Sequence, residues 1–259
     1  MLSVRMCETL SFINTTNLAT RARLLAISSD HSSDWLHALP LSACGLRMDD
    51  ETLRISVGIR LGVKLCEPHT CICGAQVDFL GLHGLACKKS AGRTSRHNYV
   101  NDIIWRALCR AGVPSIKEPS GLTHSDAKRP DGLTQIPWDS GKCATWDVTV
   151  TDTLAASNLQ HSALAAGASA ERAAEKKIQK YTDLAASYSF FPVAFKTLGP
   201  VNSLGAEFIK SIGLRARACS GDIREGSFLW QRLSMAIQRY NAVCIRGTFE
   251  TVKDGILDG

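Results

Sequence analysis

Long apolar runs are missing from this 259-residue sequence. No stretch approaches the ~20 consecutive apolar residues that cross a bilayer. The first residues, from Met1 to Cys7, offer no apolar region adequate for a signal peptide. Internal repeats and low-complexity segments are missing as well. We therefore expect an intracellular protein without a membrane partner.

The composition is that of a globular protein, with 45% apolar and 21% charged residues. At this length the chain can bury one good core and carry an accessory domain. Its ten cysteines are unevenly spaced and cluster with histidines. This clustering favours metal ligation over disulfides.

The cysteine and histidine cluster falls within residues 66–97. Its best four-ligand set is Cys71-x-Cys73-x9-His83-x3-Cys87. Three thiolates and one imidazole suit tetrahedral zinc in a structural role, because four protein ligands leave no open position. The Cys-x-Cys spacing is tighter than usual, so Cys66 and His69 are possible substitutes. The alternative is a set of reduced, buried cysteines.

A basic segment follows the cluster. Between Ala86 and Pro130 nine basic and three acidic residues give a net charge of +6, which equals that of the whole chain. The basic residues are Lys88, Lys89, Arg93, Arg96, Arg106, Arg110, Lys117, Lys128 and Arg129. Thr94 or Ser95 could cap a helix whose first turn, with Arg96 and His97, could hold a phosphate. The segment suggests a polyanionic partner; the alternative is a solvated face without one.

A β-hairpin is predicted over residues 129–150. Its second arm is rich in β-branched and aromatic residues, and Asp139-Ser140-Gly141 supplies the turn. A hairpin centred on this turn places Asp131 roughly opposite Thr149. Asp147 is then its diagonal neighbour on the same face, about 7–8 Å away between Cα atoms. Two carboxylates that close suit a hard divalent ion such as magnesium. The alternative is an ordinary edge carboxylate at Asp147.

The predicted element order is a helix, a strand ending in Glu118, two further strands, a lysine-bearing helix and a last strand. This order resembles the PD-(D/E)xK nuclease core of restriction enzymes. More closely, residues 66–200 resemble the restriction-like endonuclease region at the C-terminus of site-specific non-LTR (LINE-type) retrotransposons. The motifs that carry the resemblance are Cys71, Cys73, His83 and Cys87; Arg96-His97; Arg129-Pro130-Asp131; Asp147-Val148-Thr149-Val150; and Lys177-Ile178-Gln179-Lys180-Tyr181.

The sequence departs from the restriction-enzyme pattern at Thr149, where a lysine would stand. In the retrotransposon family that lysine moves to the following helix, which makes Lys177 the candidate. The Tyr/Phe-x-Asp-Asp motif of a reverse transcriptase is missing. In the family the polymerase lies upstream, so the chain looks like a fragment, a truncated element copy or a separate exon.

The resemblance implies an α/β fold with a PD-(D/E)xK core, in which a mixed sheet is flanked by helices, together with a zinc knuckle and helical N- and C-terminal extensions. The implied divisions are a helical linker or platform at 1–63, the knuckle at 64–91, the nuclease core at 92–200 and C-terminal helices at 201–259.

The resemblance also implies a magnesium-dependent DNA endonuclease. Asp131 and Asp147 would hold catalytic Mg²⁺, with Glu118 as a further ligand, and Lys177 would stabilise charge on the phosphate. Zinc would be structural. The partner would be double-stranded DNA in the nucleus, nicked to prime reverse transcription, with element RNA and a reverse transcriptase domain as further partners. The residues expected to contact DNA are Lys88, Lys89, Arg93, Arg96, His97, Arg129 and Lys180.

Two alternatives remain open. One is a non-catalytic, zinc-dependent DNA-binding module derived from a decayed or domesticated retroelement. The other is a purely structural α/β protein.

Overall fold

A computed structural model describes residues 17–122 and 129–249. The helices are α1 (Leu18–Ile27), α2 (Asp50–Leu61), α3 (His83–Ala86), α4 (Ala91–Arg110), α5 (Ala156–Leu164), α6 (Ala168–Lys180), α7 (Ser203–Ser220) and α8 (Glu225–Arg246). The strands are β1 (His69–Thr70), β2 (Gln76–Val77), β3 (Ser115–Lys117), β4 (Gly132–Asp139), β5 (Lys142–Thr151) and β6 (Tyr188–Lys196). Lys128 of the basic segment lies outside the described residues.

The main sheet has the order β3-β4-β5-β6. Its first three strands pair antiparallel, and β6 joins β5 in parallel through the α5–α6 crossover. This confirms the mixed α/β class and the sheet flanked by helices. No helix in the described part of the chain is long and apolar enough to cross a membrane.

Helices cover both faces of this sheet. Trp146 and Val148 of β5 point into the large core formed with α4, α7 and α8. On the opposite face, Ala170 and Ala174 of α6 pack against Ala194 of β6. Since side chains alternate along a strand, Asp147 faces α6, on the side away from the large core. The C-terminal helices thus complete the same core as the sheet.

The β4–β5 hairpin turns where the sequence predicts, because Asp139 pairs with Lys142 and both Ser140 and Gly141 have positive φ. The predicted register is wrong at the other end. Gly132 pairs with Trp146, since irregularities on either side of Pro137 shift the strands. Asp131 therefore stands beside Asp147 rather than opposite Thr149. The prediction assumed a hairpin without bulges, so it could not include this shift in register.

Helix α4 begins earlier than predicted, with Ser90 at its N-cap. Arg96 and His97 therefore lie in its second turn, and the expectation of a phosphate site in the first turn is wrong. Its C-terminal end agrees with the sequence, since Gly112 follows Ala111 with a φ of +68°.

The knuckle segment, residues 64–91, rests on the C-terminal end of α8. Gly84 of α3 touches this helix so closely that a Cβ atom would lie 2.7 Å from the carbonyl oxygen of Cys244. A Cβ on Gly92 at the start of α4 would lie 3.0 Å from the backbone nitrogen of the same residue. Both glycines are therefore required by packing, and they fix the knuckle against the core.

Candidate functional site

The predicted zinc ligands converge in the knuckle. Cys71 and Cys73 lie in the turn between β1 and β2, and His83 and Cys87 lie one helical turn apart around α3. Their ligand atoms all lie within 4.8 Å of one another. The sulfurs of Cys71 and Cys87 are 3.7 Å apart, close to the ~3.8 Å edge of a tetrahedron with Zn–S bonds of ~2.3 Å. The cluster could hold zinc.

The two possible substitutes lie outside this cluster. The Cys66 thiol points at the carbonyl oxygen of Asp78, 3.5 Å away. The His69 ring stacks on Phe249, and its Nε2 lies 2.9 Å from the Thr248 hydroxyl. The set that converges is therefore the predicted one, which contains Cys71-x-Cys73 and excludes Cys66 and His69.

Electrostatics favour a thiolate at one ligand. The backbone N–H of Ala75 is the main cause that lowers the pKa of Cys73 to about 6. Burial is the main cause that raises the pKa of Cys71 to about 11. Thiolates are the form that binds metal, so loading the cluster would release protons.

The second candidate centre is the acidic pair, Asp131 and Asp147, on adjacent chain segments. The backbone N–H of Asp131 donates to Trp146 O at 2.8 Å, and the N–H of Val148 donates to Asp131 Oδ2 at 2.6 Å. These two bonds lock the aspartates side by side. Asn101 of α4 supports them, since its Nδ2 donates to Asp131 O at 3.2 Å and its Oδ1 accepts from Trp146 Nε1 at 2.8 Å.

The lysine-bearing helix α6 completes this centre. Lys177 Nζ lies 2.5 Å from Asp147 Oδ1, and the Tyr181 hydroxyl lies 2.7 Å from Asp147 Oδ2. Lys180 instead donates to the Tyr181 hydroxyl at 3.0 Å. Among the two lysines of the motif, Lys177 is the one in contact with the acidic pair.

Burial and charge act in opposite directions on this pair. Asp147 is only 3% exposed, and burial, followed by the negative charge of Asp131, raises its pKa. Lys177 and Tyr181 oppose that rise. His97 Nε2 lies 3.3 Å from Asp131 Oδ1, and the hydrogen bond with this carboxylate raises the pKa of His97. Basic side chains thus converge on the aspartates, His97 from α4 and Lys177 from α6.

Glu118 does not join the acidic pair. In the described ranges, the zinc cluster is the only group of three or more His, Cys, Asp or Glu side chains whose ligand atoms converge. Glu118 follows β3 with a φ of +49°, and its backbone N–H donates to Asp131 O at 3.0 Å. Its exposed side chain makes no hydrogen bond or ion pair with any residue that the structure describes. Its backbone is tied to Asp131, but the predicted third ligand is not formed.

Four of the residues predicted to contact DNA lie at the surface as expected. They are Lys88, Lys89, Arg93 and Arg129. Lys89 donates to Ile72 O at 3.4 Å and Arg93 to Ala86 O at 3.2 Å, so both side chains lie over the knuckle. Arg129 lies instead beside the acidic pair, where its carbonyl oxygen accepts from the Tyr181 hydroxyl at 2.6 Å.

Arg96 is a correction. It is 1% exposed and donates to Asn241 Oδ1 of α8 at 2.6 Å, so it cannot belong to a basic surface. Burial lowers its pKa. The position follows from helical periodicity, because Arg96 lies four residues before the buried Val100 on the same stripe of α4. His97 contacts Asp131, and its expected contact with DNA stays a prediction.

Other basic residues of the segment form ion pairs within the protein. Arg106 and Lys117 both bind Asp102, at 2.6 and 3.1 Å. Arg110 binds Glu225 of α8 at 2.6 Å. The segment's net charge of +6 already counts Asp102, but the burial of Arg96 and the pairing of Arg110 with Glu225, which lies outside the segment, lower the charge that its surface presents to a partner.

Two functional residues are missing from the sequence interpretation. Tyr181 was assigned only to a motif, although its spacing of four residues from Lys177 puts both side chains on one helical face. Asn101 gave no signal of its own; its spacing of four from His97 places both on the face of α4 that meets Asp131.

Comparison of this sequence with protein-family models and with curated proteins gives no match in either case.

Proposed function

We propose that this protein is a metal-dependent DNA endonuclease with a PD-(D/E)xK-type core, the nuclease part of a retrotransposon polyprotein. The observation that carries the proposal is the contact of Lys177 with Asp147 beside Asp131. Two adjacent carboxylates and a lysine from a neighbouring helix form a set suited to phosphodiester hydrolysis. Double-stranded DNA is the proposed substrate, and nicking would supply the end that primes reverse transcription.

The residues present fit a magnesium ion. Mg²⁺ is commonly held by one or two carboxylates, with waters and substrate phosphate completing its octahedron. Asp131 and Asp147 would supply the carboxylates, and each keeps lone pairs beyond those that its hydrogen bonds use. The chemistry that such an ion supplies is polarisation of the phosphate and a lower pKa of the attacking water.

The remaining residues of the centre have separate roles in this proposal. Lys177 would stabilise negative charge that develops on the phosphate oxygens. Tyr181 would orient the Asp147 carboxylate, and Asn101 would hold the Asp131 backbone against β5. His97 would hold a proton beside Asp131. Lys180 would act on the acidic pair only indirectly, because it donates to the Tyr181 hydroxyl, which in turn contacts Asp147.

The knuckle would hold structural zinc and contribute affinity for DNA. Its four-ligand set leaves no position for a substrate. Lys88, Lys89 and Arg93 lie around it and would contact phosphates, which gives binding without sequence reading. Element RNA, a reverse transcriptase domain and a nuclear location are further parts of this proposal.

The test is nicking of supercoiled plasmid with and without Mg²⁺. We expect Asp131→Asn and Asp147→Asn to abolish nicking, and Lys177→Ala to slow it by roughly 10²–10³-fold, the loss typical of one oxyanion donor. Asp139→Asn, at the exposed tip of the same hairpin, is the matched control and should nick normally. Nicking by Asp147→Asn at the wild-type rate would overturn the proposal.

One observation favours a second candidate, a non-catalytic DNA-binding module that keeps the zinc knuckle. Lys177 forms an ion pair with Asp147, so the acidic pair is partly charge-balanced without a metal ion. Under this alternative, the zinc-loaded protein would bind DNA with the same affinity in Mg²⁺ and in Mg²⁺-free buffer of equal ionic strength. Plasmid would stay supercoiled in both. The nicking assay thus separates the two functions.

A further inference from the structure

A polar cleft lies beside the acidic pair, between β5 and the helices α5 and α6, with a volume of about 330 Å³. Hydroxyl, amide and basic side chains line it together with one alanine, and no acidic side chain is among the described residues that line it. The residues that bear on its ligand are Thr149, Ser157, Asn158, Arg172, Lys176 and Lys177. A cleft with three cations and no carboxylate is suited to an anion.

Two of these cations are available to a ligand. Arg172 and Lys176 lie four residues apart on α6, so both face the cleft from one side of the helix. Neither makes a hydrogen bond or ion pair with any residue in the described ranges. Arg106 and Lys117, by contrast, both form ion pairs with Asp102. Charge that is unpaired inside a cleft attracts an anion more strongly than charge on an open surface.

The cleft continues from the acidic pair along the same face of the sheet. Thr149 is two residues beyond Asp147 on β5, a step of about 7 Å. Lys177 marks the boundary, because it lines the cleft and its Nζ contacts Asp147. A strand whose phosphate sits at the acidic pair can therefore extend directly into the cleft.

We propose that this cleft binds the neighbouring phosphodiester of the strand that is cut. Arg172 and Lys176 donate to its phosphate oxygens, and the hydroxyls of Thr149 and Ser157 are further donors. The cleft volume is near the lower end of ligand pockets, about 300–1,000 Å³, so it suits one phosphate–sugar unit of the strand's backbone. The inference rests on the proposed function, since the acidic pair supplies the position of the adjacent phosphate.

The test uses Arg172→Gln, Lys176→Gln and the double variant in the full chain. Binding of a fluorescent double-stranded oligonucleotide is measured by anisotropy across a salt series, with Ca²⁺ in place of Mg²⁺. We expect the slope of log affinity against log salt to fall by about one for each lost phosphate contact, and by about two in the double variant. Arg172→Lys should keep most of the affinity, because it keeps the charge.

Lys210→Gln is the matched control. Lys210 is an exposed cation on α7, and the neighbouring Ile209 packs into the core on the opposite face of the sheet. An unchanged slope in the double variant, or an equal change in Lys210→Gln, would overturn the cleft as a phosphate site. The proposed nuclease would survive that result if the wild-type protein nicks plasmid. A wild-type protein that never nicks, but whose DNA affinity depends on Arg172 and Lys176, would overturn the nuclease and support the cleft.

Discussion

Gly132 links the packing of the core to the geometry of the acidic pair. It is the first residue of β4 and pairs with Trp146 of β5. A Cβ atom at this position would overlap Cζ2, Cη2 and Cε2 of the Trp146 indole ring. The ring is fully buried and its Nε1 is hydrogen-bonded to Asn101, so it has no room to turn away. We expect Gly132→Ala to lower the free energy of unfolding by about 1–3 kcal/mol, the usual cost of overpacking.

A double-mutant cycle tests this cause directly. Trp146→Phe alone removes the indole nitrogen and leaves Asn101 Oδ1 without its donor, at a cost of about 1–3 kcal/mol. It also removes the part of the ring that meets the new methyl group. The double variant Gly132→Ala/Trp146→Phe should therefore lose less free energy of unfolding than the sum of the two single-variant losses. The expected difference is about 0.5–3 kcal/mol.

The measurement is urea unfolding followed by far-ultraviolet circular dichroism, in saturating zinc. Gly226→Ala is the control, because a Cβ at that helical position meets nothing within 4 Å. It should be as stable as the wild type or more stable, by up to about 1 kcal/mol. Strict additivity in the cycle, or full stability of Gly132→Ala, would refute the argument from ring overlap.

Three further predictions concern other parts of the chain. Cys87→Ser should lose the bound zinc, measured by elemental analysis, whereas Cys66→Ser should keep it; equal losses would mean a different ligand set. Arg96→Ala should lower stability without changing the salt dependence of DNA binding, whereas Arg93→Ala should flatten that dependence. Burial lowers the pKa of Lys196 from 10.5 to about 8. The unfolded chain then binds more protons in this interval, so stability should rise with pH between these values, and Lys196→Met should abolish that rise.

Local signals predicted much of the fold correctly. C-terminal helices were expected within residues 201–259, and α7 (Ser203–Ser220) and α8 (Glu225–Arg246) lie there. The turn at Ser140 and Gly141 was predicted because its residue types favour positive φ. Metal-ligand spacing likewise predicted the Cys and His cluster. All of these depend on residues close together in the sequence.

The failures depend on contacts that sequence spacing does not contain. The register of Asp131 changed because irregularities near Pro137 shifted β4 against β5. Arg96 was placed at the surface from its charge, but its partner Asn241 is 145 residues away. Arg110 is exposed as expected, but its ion pair with Glu225, which is also distant in sequence, compensates its charge. Charge and spacing predict which groups could act, whereas long-range packing decides which of them are exposed.

The most direct test of the central claim is calorimetric titration of Mg²⁺ into the zinc-loaded protein, compared with its Asp147→Asn variant. If the acidic pair is a divalent-cation site, the wild type will bind Mg²⁺ in the concentration range that supports nicking, and Asp147→Asn will lose that binding while it keeps its zinc. Equal Mg²⁺ binding by both proteins, or none by the wild type, would contradict the account.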